Sequence, residues 1–351
     1  MKNSELTPSE RVLKTLYGEY TGKVPFTIYE TKLPRSSVER ELRNQGLCLV
    51  RRTTSYKVHY PNVKVRSHHY TDEKGKGLVK TQYSTPMGDL FTLTEPSGYT
   101  TWTHERLFKT PDDYKALLFL IRDTVYTPDY NNVFQMTKEL GGDYVVRDSL
   151  PSEPLQSLMS HYMGMETYCY QWMDNRDDVL KLYDALVENA RKVYSLVAEG
   201  PLLFANYGGN VTPQIVGLNN FIKYYVPHYQ EAAEVLHKKG KRIGCHLDGN
   251  NTQIMTAVSE TELDYIEAYD PGMGPSVMEA RKEWPNKVLW LNWPSSGHLH
   301  SPEEVKRMTI QIMEEAEPLQ GFIMGVTEDV PPDRLQINLK AIMEAIQSYQ
   351  K

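Results

Sequence analysis

Residues 244–251 read GCHLDGNN: a short apolar run ends by presenting His246 and Asp248 just before a Gly-Asn turn. On a strand, alternate residues share a face, so these two point the same way while Leu247 points the other. With Glu328, from the later run GFIMGVTEDVPP (321–332), they make one imidazole nitrogen and two carboxylates. Such a set can hold a divalent ion with a position left for water or substrate, as catalytic zinc sites do. The alternative is that buried polar groups at strand ends simply hydrogen-bond to one another. Glu30 and Glu267 can ligate a metal, act as general acid or base, or stand as salt-bridged carboxylates. Asn206, Asn210 and Asn292 can orient a substrate oxygen or form turns. Tyr29, Tyr207, Tyr269 and Trp293 can contact a flat substrate or fill space as apolar bulk. His298 and His300, in SSGHLHSPEE, precede a Ser301-Pro302 helix start and read as exposed loop histidines, as do His68 and His69. Nucleophilic catalysis finds no GxSxG, and Cys245 faces away from His246 on the same strand.

These residues must be positioned by a repeated element. KVPFTIYE, DYVVRDS (143–149), LLFANYGGN (202–210), RIGCHLDGN (242–250), DYIEAYDPG (264–272), KVLWLNWPSS (287–296) and GFIMGVTEDVPP are each apolar first and polar last. GLCLVRRTTSYKV (46–58) supplies an eighth run. Between them lie helical patterns at 176–199, 219–239, 252–262, 275–284, 302–317 and 333–349. The chain opens on a helix signal, with Thr7 as N-cap, Pro8 in the first turn and Glu10 completing a capping box. Short two-sided strands alternating with amphipathic helices predict a parallel sheet with right-handed crossovers. Eight of them, with no GxGxxG after any strand, favour an α/β (β/α)8 barrel of the TIM type over a dinucleotide-binding sheet. In such a barrel the strand ends meet at one mouth, so the polar residues above converge there. Residues 59–110 break the rhythm with period-two alternation and turn signals at Pro86-Met87-Gly88 and Pro96-Ser97-Gly98. They read as an antiparallel hairpin inserted in the first third of a single barrel domain spanning 1–351, serving as a lid, a dimer contact or a surface decoration.

Bulk composition narrows the partners. A net charge of −6 and no long Lys/Arg block argue against nucleic acid and membrane surfaces. Charges in MKNSELTPSERVLKTLYG interrupt any signal-peptide core, so a cytoplasmic location is expected. The three cysteines, Cys48, Cys169 and Cys245, are widely spaced and form no CxxC-type metal site.

Several stretches resemble the uroporphyrinogen decarboxylase superfamily across nearly the whole chain. SERVLKTLYGEYTGKVPF resembles its opening helix and first strand, YSTPMGDL its T-P-x-G hairpin, FIKYYVPHYQEAAEVLHKKGKRIGCHLDGN its central strand and H-x-[CD]-G turn, and GFIMGVTEDVPPDRLQINLKAIMEAI its last strand and helix. The resemblance implies a single-domain (β/α)8 barrel and admits a homodimer. Its decarboxylases bind a polycarboxylate tetrapyrrole with N-terminal arginines and an F-S-D aspartate, whereas here VPFTIYETKLP contains no arginine and no F-S-D follows. Its corrinoid-dependent methyltransferases place zinc on H-x-C and a later cysteine. On that pattern the ligands fall on His246, Asp248 and Glu328, with both thiolates replaced by carboxylates. A harder N/O/O site is a stronger Lewis acid toward oxygen than a thiolate site. The resemblance therefore implies an O-demethylating methyltransferase that moves a methyl group from a methoxylated, aromatic compound to the Co(I) corrinoid (cobalamin) of a partner protein. A divalent metal, zinc by the resemblance, stabilises the leaving oxygen. Tyr207, Tyr269 and Trp293 then frame the ring, and Glu30 or Glu267 assists protonation. A decarboxylase acting on a tetrapyrrole or other polycarboxylate, and a non-catalytic corrinoid-binding barrel, are the other readings.

Overall fold

The computed structural model describes residues 6–97 and 100–349. Eight parallel strands close into a barrel: β1 (Phe26–Tyr29), β2 (Leu47–Thr53), β3 (Tyr144–Ser149), β4 (Phe204–Tyr207), β5 (Arg242–His246), β6 (Tyr265–Tyr269), β7 (Val288–Asn292) and β8 (Phe322–Val326). Each pairs with its neighbour in chain order, and β1 closes the ring by pairing Phe26 with Met324 of β8 and with Leu47 of β2. The expected (β/α)8 architecture is therefore present. The first helix, Pro8–Leu16, starts as its sequence predicts: the Thr7 hydroxyl accepts from the Glu10 amide at 3.2 Å and the Glu10 carboxylate accepts from the Thr7 amide at 2.8 Å.

Inside the barrel, the layer below the mouth is aromatic. Phe204, Tyr265 and Trp290 are buried with ring centroids 5.9–6.2 Å apart. Their polar atoms are satisfied, Tyr265 donating to the Ala205 carbonyl at 2.6 Å and Trp290 to Thr27 Oγ1 at 2.9 Å. Room for this plug comes from Gly244, where a Cβ would stand 2.2 Å from the Tyr265 ring. Two residues further along the strands, the next inward positions are Asn206, His246 and Glu267, so alternation alone lifts the polar set onto the apolar floor.

The chain leaves the barrel after Ser55 and again after Leu150, and these two excursions, Tyr56–Pro128 and Pro151–Leu196, form a second compact unit. The region expected as one hairpin is a four-stranded antiparallel sheet of Lys64–Thr71, Gly77–Thr85, Gly88–Ser97 and Thr100–Glu105. The strand Lys64–Thr71 is exposed throughout and Thr100–Glu105 nearly so, which removes the apolar alternation that would have revealed them. The turn at Pro86-Met87 is present, with Gly88 at a φ of 134°; Gly98, in the second turn signal, lies outside the described residues. His68 and His69 sit on the exposed strand Lys64–Thr71 and not in a loop. A separate pair, Tyr56–His59 with Val125–Pro128, takes the tail of the run read as the eighth strand. The helix Tyr114–Asp123 covers the sheet, burying Leu117, Leu120 and Ile121 near Leu90.

Candidate metal centre

At the C-terminal end of β5, His246 Nε2 lies 3.5 Å from an Asp248 oxygen and 3.9 Å from an Glu328 oxygen. One donor atom from each of the three lies within 4.8 Å of the others. The strand delivers His246, the residues just past it deliver Asp248, and the loop after β8 delivers Glu328. All three sequence-expected ligands are thus brought together.

What orients the imidazole is behind it. Glu267, fully buried on β6, accepts from His246 Nδ1 at 3.0 Å and from Asn206 Nδ2 at 3.0 Å through one oxygen. Its other oxygen accepts from the Tyr29 hydroxyl at 2.6 Å and from the Arg147 guanidinium. Burial by itself would raise this carboxyl, but Arg147, with His246 and Tyr29, holds it down at about 2. With Nδ1 committed to Glu267, Nε2 of His246 is the nitrogen that faces Asp248 and Glu328, the arrangement by which a buried carboxylate orients a metal-ligating histidine.

The charges say what the cluster wants. Arg147 neutralises Glu267, which leaves Asp248 and Glu328 as two carboxylates facing one imidazole. Desolvation opposes a proton on His246, yet its acidic neighbours raise its pKa to about 9. Burial and the nearby Asp248 push Glu328 above the usual carboxyl range. A divalent cation in place of the proton that His246 holds would meet one imidazole nitrogen and two carboxylates, which fit it in donor type, number and charge.

Several residues expected at the site do other work. Glu267 has four donors on its two oxygens, so it supports His246 and is not free to exchange a proton with a substrate. Glu30 is held by the Arg51 guanidinium, through Nη2 at 2.8 Å and through Nε. Tyr29 is buried and belongs to the Glu267 network, 3.3 Å from His246 Nδ1. Asn206 likewise turns inward to Glu267. Tyr207, next to it, points the opposite way and packs edge-on against Tyr229 at 5.4 Å. Strand alternation by itself would put Tyr269 on the same face as Glu267. A register shift between those two, with Ala268 at a φ of 59°, turns it outward against Trp284, where its hydroxyl donates to the Pro275 carbonyl. Asn292 ties loops together, donating to Asp270 at 3.1 Å and accepting from the Thr327 amide at 2.8 Å. Trp293 is fully buried, donating to Thr309 Oγ1 at 3.0 Å. Asn210 is exposed, in a left-handed conformation with φ 55°. Cys245 faces outward, its thiol donating to the Tyr229 hydroxyl.

The participant that sequence reading passed over is Arg147. It was visible as a strand-end residue, but its role follows only from the ion pair with Glu267 on a strand three places away in the barrel. A charged residue inside the apolar run YVVRDS was the available signal.

Gly209 carries a sharp prediction. At φ 79° its Cβ position lies 2.0 Å from the His246 carbonyl oxygen, so the loop after β4 rests on the backbone of the histidine. Gly209→Ala is expected to cost about 2–4 kcal/mol, from the left-handed conformation and the backbone clash together, and to weaken metal retention. Denaturant melts and metal analysis of the purified variant check both.

His298 is not the exposed loop histidine its sequence context suggested. It is 1% exposed, its ring 4.4 Å from Trp293, while Asn338 donates to its carbonyl at 2.9 Å. Burial lowers its pKa from 6.5 to about 4. Its neutral form belongs to the folded state, so the stability is present above pH 6.5 and is lost as the pH falls toward 4. Between pH 7 and 5 the loss from this group is about 2 kcal/mol. A His298→Phe variant is expected to show a correspondingly smaller acid destabilisation in melts at the two pH values.

Among the described residues no helix is long and apolar enough to cross a membrane. Comparison of the whole fold finds a methyltransferase from Methanosarcina mazei at a TM-score of 0.61 and 13% identity, covering 99% of this chain and 100% of that one. A catalytic module of a pneumococcal exo-β-D-N-acetylglucosaminidase aligns at a TM-score of 0.40 and 9% identity, over 96% of this chain and 86% of that one. The first likeness supports the barrel architecture, and the second carries no argument. No curated protein matches the sequence. The family description Uroporphyrinogen decarboxylase (URO-D) matches residues 156–349, a stretch that runs from before β4 through the last helix and contains His246, Asp248, Glu267 and Glu328. With more than half of its length matched, including the strands that carry the cluster, the chain belongs to the uroporphyrinogen decarboxylase (URO-D) family.

Proposed function

We propose that this protein is an enzyme, a methyltransferase of the uroporphyrinogen decarboxylase family that removes a methyl group from a methoxylated aromatic compound. The acceptor is the Co(I) corrinoid of a partner protein. The observation that carries the reading is the convergence of His246 Nε2, Asp248 and Glu328 within 4.8 Å. A divalent metal held by these three, zinc being the ordinary choice for such a site, would supply Lewis acidity toward the ether oxygen that leaves as a phenolate.

The chain's own residues set up that chemistry. Glu267, anchored by Arg147, Tyr29 and Asn206, keeps the Nδ1 proton of His246 in place and so presents a neutral nitrogen donor. Asp248 and Glu328 bring two negative charges to the mouth, and their oxygens make the site hard, suited to an oxygen and not to a thiol. The buried floor of Phe204, Tyr265 and Trp290 closes the barrel beneath the network, keeping water from reaching it from below. Exposed apolar side chains, Ile215, Leu218 and Ile222 on the short helices Pro213–Val216 and Leu218–Tyr224 after β4 and Met273 on the loop after β6, offer contact area to a protein that carries the corrinoid.

The test is direct. Purified protein should contain about one divalent metal per chain, and with a panel of methoxylated benzoates and phenols it should methylate added cob(I)alamin, followed by its absorbance. Metal-free protein that gains no activity on adding zinc, or conversion of a polycarboxylate with release of carbon dioxide and no methyl transfer, would sink the proposal.

A further inference from the structure

The guanidinium of Arg52 is a charge at the barrel mouth that the metal centre does not use. Arg52 stands near the end of β2, in register with Arg147 of β3, so both project from the same face of the sheet, the inner one from which Arg147 reaches Glu267. It lies two residues beyond Val50, the partner of Tyr29 on β1, and so one layer nearer the mouth. Its guanidinium carbon is 4.1 Å from the centroid of the Tyr29 ring, and the hydroxyl of that same ring is 3.3 Å from His246 Nδ1. One aromatic ring therefore separates Arg52 from the histidine of the metal centre. Arg52 is exposed and the Glu328 side chain is half-exposed, so both can be met from solvent.

The cations beside it are taken. Arg147 is paired with Glu267, Arg51 with Glu30, and Lys32 with Asp329 at 2.7 Å. Among the described residues no carboxylate pairs with Arg52. Stacking on a ring occupies the face of a guanidinium and leaves its N–H edge unused, and that edge is a fork that fits a carboxylate through two parallel hydrogen bonds. The charges agree. A divalent ion would balance Asp248 and Glu328, Arg147 and Glu267 cancel, and Arg52 then leaves the mouth with one positive charge, the complement of one carboxylate.

We propose that Arg52 sets the substrate class: it binds the carboxylate of a methoxybenzoate whose methoxy group lies at His246, Asp248 and Glu328, and so favours acids over uncharged methoxybenzenes. The methoxy part of this assignment rests on the demethylation reading, whereas the carboxylate contact does not.

The test sets 3-methoxybenzoate against 3-methoxybenzyl alcohol, which has the same ring and ether without the charge. Isothermal titration of the full-length protein is expected to show saturable binding of the acid, with the alcohol about 10–100-fold weaker. Arg52→Gln should bring the acid to the level of the alcohol and leave the alcohol unchanged, while Arg52→Lys, which keeps the charge but not the fork, should fall between. In methyl transfer to cob(I)alamin, Arg52→Gln should raise KM for the acid by the same factor with kcat little altered. Equal binding of acid and alcohol by the parent protein, an Arg52→Gln variant that binds both as the parent does, or one that loses both equally would overturn the proposal. Methyl transfer that runs equally well from acid and alcohol would remove the role of Arg52 and leave the reaction standing. Arg52-dependent binding of the acid with no methyl transfer from any ether would remove the reaction and leave the carboxylate contact.

Discussion

A His246→Ala protein is expected to lose its bound divalent metal, with affinity falling about a hundredfold or more, and to lose methyl transfer with it. The basis is that His246 contributes the one nitrogen among three donors, and Asp248 and Glu328 are left as two carboxylates with nothing between them to hold. A finer version separates ligation from support. Glu267→Gln keeps the shape of the side chain and an acceptor oxygen, but the negative charge that favours the His246 Nδ1 proton is gone. The expected result is a loss of about 10–100-fold in metal affinity, smaller than for the ligand itself. Metal titration with a competing chelator measures both. Equal metal content in parent and His246→Ala protein would show that the three donors do not form the site.

The second large effect concerns stability. Replacing Arg147 with methionine removes the counterion of Glu267, which is fully buried, and leaves its charge with only neutral donors and the imidazole. Breaking a buried pair from one side costs about 3–5 kcal/mol, because the remaining ion keeps its desolvation penalty without its partner. Arg147→Met is therefore expected to shift the denaturant midpoint strongly. The double variant Arg147→Met/Glu267→Gln should recover much of the loss, since no charge is then stranded. A single variant as stable as the parent, or a double variant less stable than the single one, would contradict the assignment of Arg147 as the residue that holds Glu267 ionised.

Much of the fold was readable because its signals are local. Apolar runs with polar ends, a capping box at Thr7 and amphipathic spacing between the runs each depend on a few neighbouring residues. The four-stranded sheet of the second unit was partly hidden for the opposite reason: its outer strands bury little, so they leave no alternation to read. At the site, His246, Asp248 and Glu328 were legible as polar residues at strand ends and, as a set, through the resemblance to a family ligand pattern; H-x-D by its spacing says only that two of them share a face. The aromatic and amide residues around them were not, since Tyr207, Tyr269 and Trp293 have the composition of a substrate pocket but the environment of a core.

The sequence by itself determined the order of the eight barrel strands, the barrel they close and the polar residue types that their ends present at its mouth. These depend on periodicity and residue type, which are local properties. Only the tertiary structure decided which neighbours share a face. The bulge at Ala268 sent Tyr269 outward, ring closure placed Arg147 against Glu267, and the floor of Tyr265 and Trp290 fixed the height of His246. Each is a contact between residues distant along the chain, set by register and packing, and no short stretch of sequence contains it.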